Sequence, residues 1–154
     1  MIRVNTISNN KSWRNYIKNP QKLMERKVLK INKNFKKYKK KIFFYTLLLS
    51  GDNEIKKLNK KFRKKNKTTD VLSFPFYTKQ ELQKTIIKEN EIYLGDIIIN
   101  FNKIKNRLNR RYFIIEFDKL WIHGLVHLFG YEHKKEKDFY NMKKFEKKLI
   151  SYLD

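Results

Sequence analysis

The sequence predicts one α/β or α+β domain of about four strands packed with helices. Strand-like apolar runs alternate with segments of helical period, the pattern of mixed folds. The chain has 154 residues, 40% hydrophobic and 15% aromatic, enough for one sizeable core. No repeat, low-complexity tail or boundary-like composition divides it, so one domain over 1–154 is expected.

The elements follow in chain order. Residues 2–7 alternate apolar and polar side chains, as a first strand does. Pro20 suits the first turn of a helix through Leu23, Met24, Val28, Leu29 and Ile31, ending before the basic run "KKYKKK". Residues 42–49 form a continuous apolar run, expected to be a strand buried on both faces. Gly51 and Asp52 supply a turn and an N-cap for "NEIKKLNKKFRK", where Ile55, Leu58 and Phe62 share a face.

"KTTDVLSFPF" reads as the next strand, and Pro75 places it at an edge because proline donates no ladder hydrogen bond. Residues 77–92 are polar and aperiodic, an expected exposed loop. "YLGDIIIN" resumes the sheet. After it come an expected short basic helix in "KIKNRLNRR" and a long apolar helix over about 112–129. An amphipathic helix over about 135–153 closes the chain, with Phe139, Met142, Phe145, Leu149 and Ile150 on one face.

Composition limits the function. There is no cysteine, which excludes disulfides and thiolate metal sites. The N-terminus lacks the apolar core of a signal peptide, and no run approaches the roughly 18–20 residues that span a bilayer. A soluble, cytoplasmic protein with no membrane partner is the expectation. Net charge is +23, from 38 Lys+Arg against 15 Asp+Glu, which attracts polyanions such as RNA. Only seven of these cations are arginine, so compositional drift toward lysine accounts for part of the charge.

The chemistry concentrates in "WIHGLVHLFGYEH", which contains every histidine of the chain: His123, His127 and His133. Four residues apart on a helix, His123 and His127 face one point. Gly130 stands where a left-handed residue would stop that helix and turn His133 back as a third ligand. Three imidazoles suit zinc first, with nickel or copper as alternatives, and leave a position open as in catalytic sites.

A zinc peptidase of this spacing carries a glutamate base after the first histidine, where this chain has Gly124. Zinc alone acidifies water to a pKa of about 7, and a phosphodiester needs charge stabilisation more than a dedicated base. The missing glutamate therefore favours phosphodiester over peptide hydrolysis. Arg63 is the candidate guanidinium, in a segment whose other cations are lysines. Asp70 and Asp96 are nearby carboxylates, each flanking a strand.

"HGLVHLFGYEH" resembles the H-G-x-x-H-L-x-G-Y-D-H motif of the YbeY-type bacterial endoribonucleases, or rRNA maturation factors. "LNKKFRKKNKTTDVLSFPF" and "LGDIII" match in the same order, so the resemblance runs from about residue 42 to the C-terminus. It implies a mixed sheet against helices and one zinc per chain in a cleft, on a helix and the turn after it. It further implies single-strand-specific endoribonuclease activity, 16S rRNA 3′-end maturation and ribosome quality control. The partners would be rRNA and ribosomal particles, with no DNA specificity.

By position, His123, His127 and His133 match the zinc ligands, and Arg63 the arginine that contacts RNA phosphate. Glu132 stands where the family has Asp, beside Asp70 and Asp96 as a carboxylate that would support the ligands. Lys64 replaces the glycine common after the arginine, and Thr68 a proline. The rival reading is a non-catalytic RNA-binding assembly factor with a structural zinc. A zinc peptidase ranks third, against Gly124 and the basic charge.

Overall fold

The computed structural model describes residues 1–154 except Lys37, Lys39, Lys134 and Asp154. Two members of the basic run after the first helix thus lie outside the described residues. Strand β1 (Ile2–Ser8) is followed by a 3-10 turn and helix α1 (Pro20–Asn34). Asn19 caps α1 by accepting from the Lys22 amide, and Pro20 occupies its first turn. Strand β2 (Ile42–Ser50), helix α2 (Asp52–Arg63) and strand β3 (Val71–Pro75) come next, then helix α3 (Lys79–Lys88) and strand β4 (Glu91–Asn100). A second 3-10 turn leads to helices α4 (Arg110–Leu128) and α5 (Glu136–Ser151).

The sheet has the order β1-β2-β4-β3. β1, β2 and β4 are parallel, whereas β3 runs antiparallel at the edge, so the sheet is mixed. Alternation gives each strand two faces. One face contributes Val4, Phe43, Leu47, Leu94 and Ile97 to the main core, where they meet Met24 and Val28 of α1 and Phe117, Trp121 and Leu125 of α4. The other face holds a small cluster of Ile55, Leu72 and Ile98 beneath α2. The α+β architecture of four strands between helical layers agrees with the expectation.

Three local expectations need correction. β2 is buried on one face only, with Phe43, Tyr45, Leu47 and Leu49 inside and Phe44 39% exposed. Its second face is open because α2 covers Leu48 and its neighbours but not Phe44.

Residues 77–92 are not a loop. Thr78 accepts from the Glu81 amide at 3.3 Å while Glu81 accepts from the Thr78 amide at 2.8 Å, a reciprocal cap that starts α3. Buried Leu82 and partly buried Ile86, one turn apart, anchor it.

"KIKNRLNRR" forms no helix of its own. It leaves a 3-10 turn at Lys103 and continues without regular structure until Asn109, which caps α4 by accepting from the Arg111 amide at 2.7 Å. Among the described residues, no helix is long and apolar enough to cross a membrane.

Candidate metal centre

The site stands at the C-terminal end of α4. His123 and His127 lie one turn apart on that helix, and Gly124 between them sits against the sheet. A Cβ on Gly124 would fall 2.7 Å from Cγ2 of Ile97, so only glycine lets α4 approach β4 this closely. The helix then stops as the sequence predicts. Gly130 has φ +83, its amide donates to the His127 carbonyl at 2.8 Å, and the Tyr131 amide donates to Val126 at 3.3 Å. That pair of bonds is the Schellman termination, and it swings the chain back toward the helix.

The reversal brings His133 to the other two. One nitrogen from each of His123, His127 and His133 lies within 4.8 Å of the others. The ring centroids are 4.6 Å apart for His123–His127, 5.2 Å for His127–His133 and 6.2 Å for His123–His133. His123 and His127 are half-buried and His133 is exposed, so the cluster opens to solvent on one side.

Each helical histidine is oriented through its Nδ1. His127 Nδ1 donates to the Tyr131 carbonyl at 2.9 Å, and His123 Nδ1 donates to the Glu146 carboxylate of α5 at 2.6 Å. In the neutral rings this leaves both Nε2 atoms as acceptors, and they face each other at 3.1 Å. Two lone pairs at that distance repel unless a cation lies between them. Nitrogens bound at 2.0–2.1 Å to a tetrahedral ion would sit about 3.3 Å apart, so the pair fits a metal.

The electrostatics agree. Burial, then the neighbouring His123 charge, hold His127 below the ordinary imidazole range; His133 and Arg63 push the same way and the Tyr131 hydrogen bond opposes them. His127 is thereby kept neutral, the form that ligates. Burial acts to raise the Glu146 carboxyl, but hydrogen bonds from His123 and Lys143 outweigh it and hold the group below its ordinary value. Lys143 reaches Glu146 at 2.8 Å.

Arg63, the last residue of α2, donates to the Ser73 carbonyl of β3 at 2.9 Å and lies 5.8 Å over the Phe74 ring. It is exposed, and its charge is the smallest of the influences that lower His127. Lys64 follows it with φ 55, the left-handed conformation that favours glycine.

The expected carboxylates fare differently. Asp70 turns its carboxylate onto its own loop, accepting from Thr69 at 3.0 Å and from the Val71 amide at 2.8 Å. Asp96 pairs in register with Phe74 on the α2 face of the sheet and accepts from the Tyr93 hydroxyl at 2.5 Å, away from the α4 histidines. Glu132 is exposed and precedes His133. The carboxylate that holds one of the three histidines is Glu146, which sequence reading missed. Its signal was a charge on the apolar stripe of α5, four residues after Met142 and three before Leu149, and it is only 6% exposed.

Fold and site together define an α+β protein with a three-histidine centre able to hold a metal ion. The sequence profile described as Endoribonuclease YbeY matches residues 6–154. The chain is 40% identical to Endoribonuclease YbeY of Pelagibacter ubique, covering 99% of this chain and 97% of that one. It is 34% identical to that of a Wolbachia from Drosophila simulans, over 99% and 95% of the two chains. The solution structure of TM1509 from Thermotoga maritima superposes with a TM-score of 0.59 at 25% identity, covering 99% of this chain and 89% of the other. The chain belongs to the endoribonuclease YbeY family. The match reaches into β1, so the likeness is not confined to residues after 42.

Proposed function

We propose that this chain is a zinc-dependent, single-strand-specific endoribonuclease, one domain over 1–154. It acts in the cytoplasm on rRNA within ribosomal particles, at the 3′ end of 16S rRNA above all. The observation that carries the reading is the convergence of His123 and His127 Nε2 at 3.1 Å with His133 beside them. Membership in a family of endoribonucleases supports it, as does the net charge of +23.

The ligand set is three neutral imidazoles without thiolate, which suits zinc. Bound there, zinc would supply Lewis acidity to a phosphodiester oxygen and to water. The protein's own groups do the rest. Glu146 and the Tyr131 carbonyl fix the ring orientations of His123 and His127. Arg63, held by Ser73, offers its guanidinium to the negative charge that builds on phosphorus oxygens. Gly124 removes the carboxylate that a peptidase uses to protonate an amine leaving group, and RNA cleavage does not require one at that place.

The test is cleavage of a labelled RNA spanning the 16S 3′ region by wild type, His127→Ala and Arg63→Ala prepared identically. Loss of cutting in folded variants is expected. Cyclic phosphate ends would show attack by the RNA hydroxyl, and 5′-phosphate ends attack by water. Equal cutting by all three would overturn the assignment of the site. RNA binding without cutting by wild type would favour a non-catalytic assembly factor.

A further inference from the structure

Beside the metal centre lies a cleft of about 420 Å³, within the size range of small-ligand sites. Its lining includes Tyr131 and Glu132 of the loop that carries His133, Phe145 and Lys148 of α5, and the further aromatic rings of Tyr152 and Phe35. Tyr131 and Phe145 stack on each other at 4.9 Å with their planes 24° apart, and all four rings are half-buried. The exposed lysines Lys36, Lys79, Lys144 and Lys148 stand along its lining. Glu132 and Asp138 are its carboxylates, and Asn34 and Asn141 bring amides.

These groups match the parts of a nucleotide. Half-buried aromatic rings at a cleft wall accept a base by stacking, with little dependence on which base. Lysines at the lining hold phosphate. Amides and carboxylates accept from the amino groups on a base edge. The same loop gives the cleft Tyr131 and Glu132 and gives the metal centre His133 and the carbonyl that orients His127, so a strand crossing the histidines passes next to the cleft.

We propose that this cleft binds one nucleotide of an RNA strand that runs past the histidines, its base against the stacked Tyr131–Phe145 pair and Tyr152 and its phosphate among Lys144, Lys148 and Lys79. The proposal rests on the part of the reading above that makes single-stranded RNA the ligand. The four lysines against two carboxylates give the cleft a cationic balance, which selects a polyanion as occupant.

The test measures binding of a short labelled single-stranded oligoribonucleotide to the full-length chain. Lys144→Glu/Lys148→Glu is compared with Lys18→Glu/Lys22→Glu, an equal change of charge around the far end of α1. All four lysines are exposed, so folding is not at stake. The cleft variant should raise Kd about tenfold through its lost phosphate contacts, and the control much less. Equal weakening in both would overturn the proposal while leaving the nuclease assignment intact. The RNA also carries 4-thiouridine for photo-crosslinking. Adducts at Tyr131, Phe145 or Tyr152 are expected, and adducts confined to other residues would overturn it. Binding is read without cleavage, so a protein that crosslinks in the cleft but never cuts RNA sinks the nuclease reading and not this one.

Discussion

Glu146 on α5 accepts from Nδ1 of His123 on α4 at 2.6 Å, so the three-histidine cluster is joined to the C-terminal helix through a single buried carboxylate. Orientation of one imidazole of the cluster thus depends on packing between two helices.

Replacing that carboxylate should loosen the metal. Glu146→Gln keeps the shape but removes the charge that favours Nδ1–H, and metal affinity should fall about 10–100-fold. Competition against a chromogenic zinc chelator measures it. An unchanged affinity would remove Glu146 from the centre.

The metal-free protein should weaken on acidification through His127. Its folded pKa lies below the unfolded value of 6.5, so as pH falls the unfolded chain takes the proton first. The stability it contributes is complete above the unfolded pKa and is lost as pH falls through the folded one. Urea unfolding from about pH 7 to about pH 5 should show a smaller pH slope in His127→Ala than in wild type. Equal slopes would contradict the shift.

Lys64 should be improvable. Its φ of 55 carries a steric cost of roughly 1 kcal/mol that glycine avoids. Lys64→Gly should raise stability by about that amount, whereas Lys64→Ala should not. Denaturant midpoints for the two variants decide, and identical shifts would sink the account.

Gly124→Glu, which restores the peptidase pattern, should cost stability without creating a protease. Its Cβ would press on Ile97, and overpacking of this kind costs about 1–3 kcal/mol. Thermal unfolding and casein hydrolysis, run together, test both halves. Robust casein cleavage would mean that the glycine alone had suppressed peptidase chemistry.

RNA binding should weaken steeply with salt. For single strands, log K falls with log salt by about 0.7 per phosphate neutralised. A flat dependence measured by anisotropy would count against the cationic surface as the RNA footprint.

The histidine cluster was readable because helical spacing and a stop glycine are both local signals, and Gly130 and the Schellman bonds realise them. Pro75 likewise marked β3 as an edge strand correctly. Glu146 was hidden because its partner lies 23 residues away, and nothing local says that a carboxylate on an apolar stripe meets an imidazole. α3 was missed for another reason. Only Leu82 and Ile86 mark its inner face, so periodicity is faint and the Thr78–Glu81 cap is the stronger signal. The one-sided burial of β2 depends on how far α2 reaches across the sheet, which no window of β2 encodes.

Among the described residues β3 is the one antiparallel strand, and its ladder to β4 runs through even-numbered residues, as the Asn100–Asp70 and Phe76–Leu94 bonds show. The groups of Val71, Ser73 and Pro75 therefore point outward, where a foreign strand could add to the sheet. The Val71 amide is taken by the Asp70 carboxylate, the Ser73 carbonyl by Arg63, and Pro75 has no amide to offer. Asp70, Arg63 and Pro75 thus act as gatekeepers against intermolecular β-addition and aggregation. Arg63→Ala would then do two things at once: remove the guanidinium proposed to meet phosphate and unblock a sticky edge.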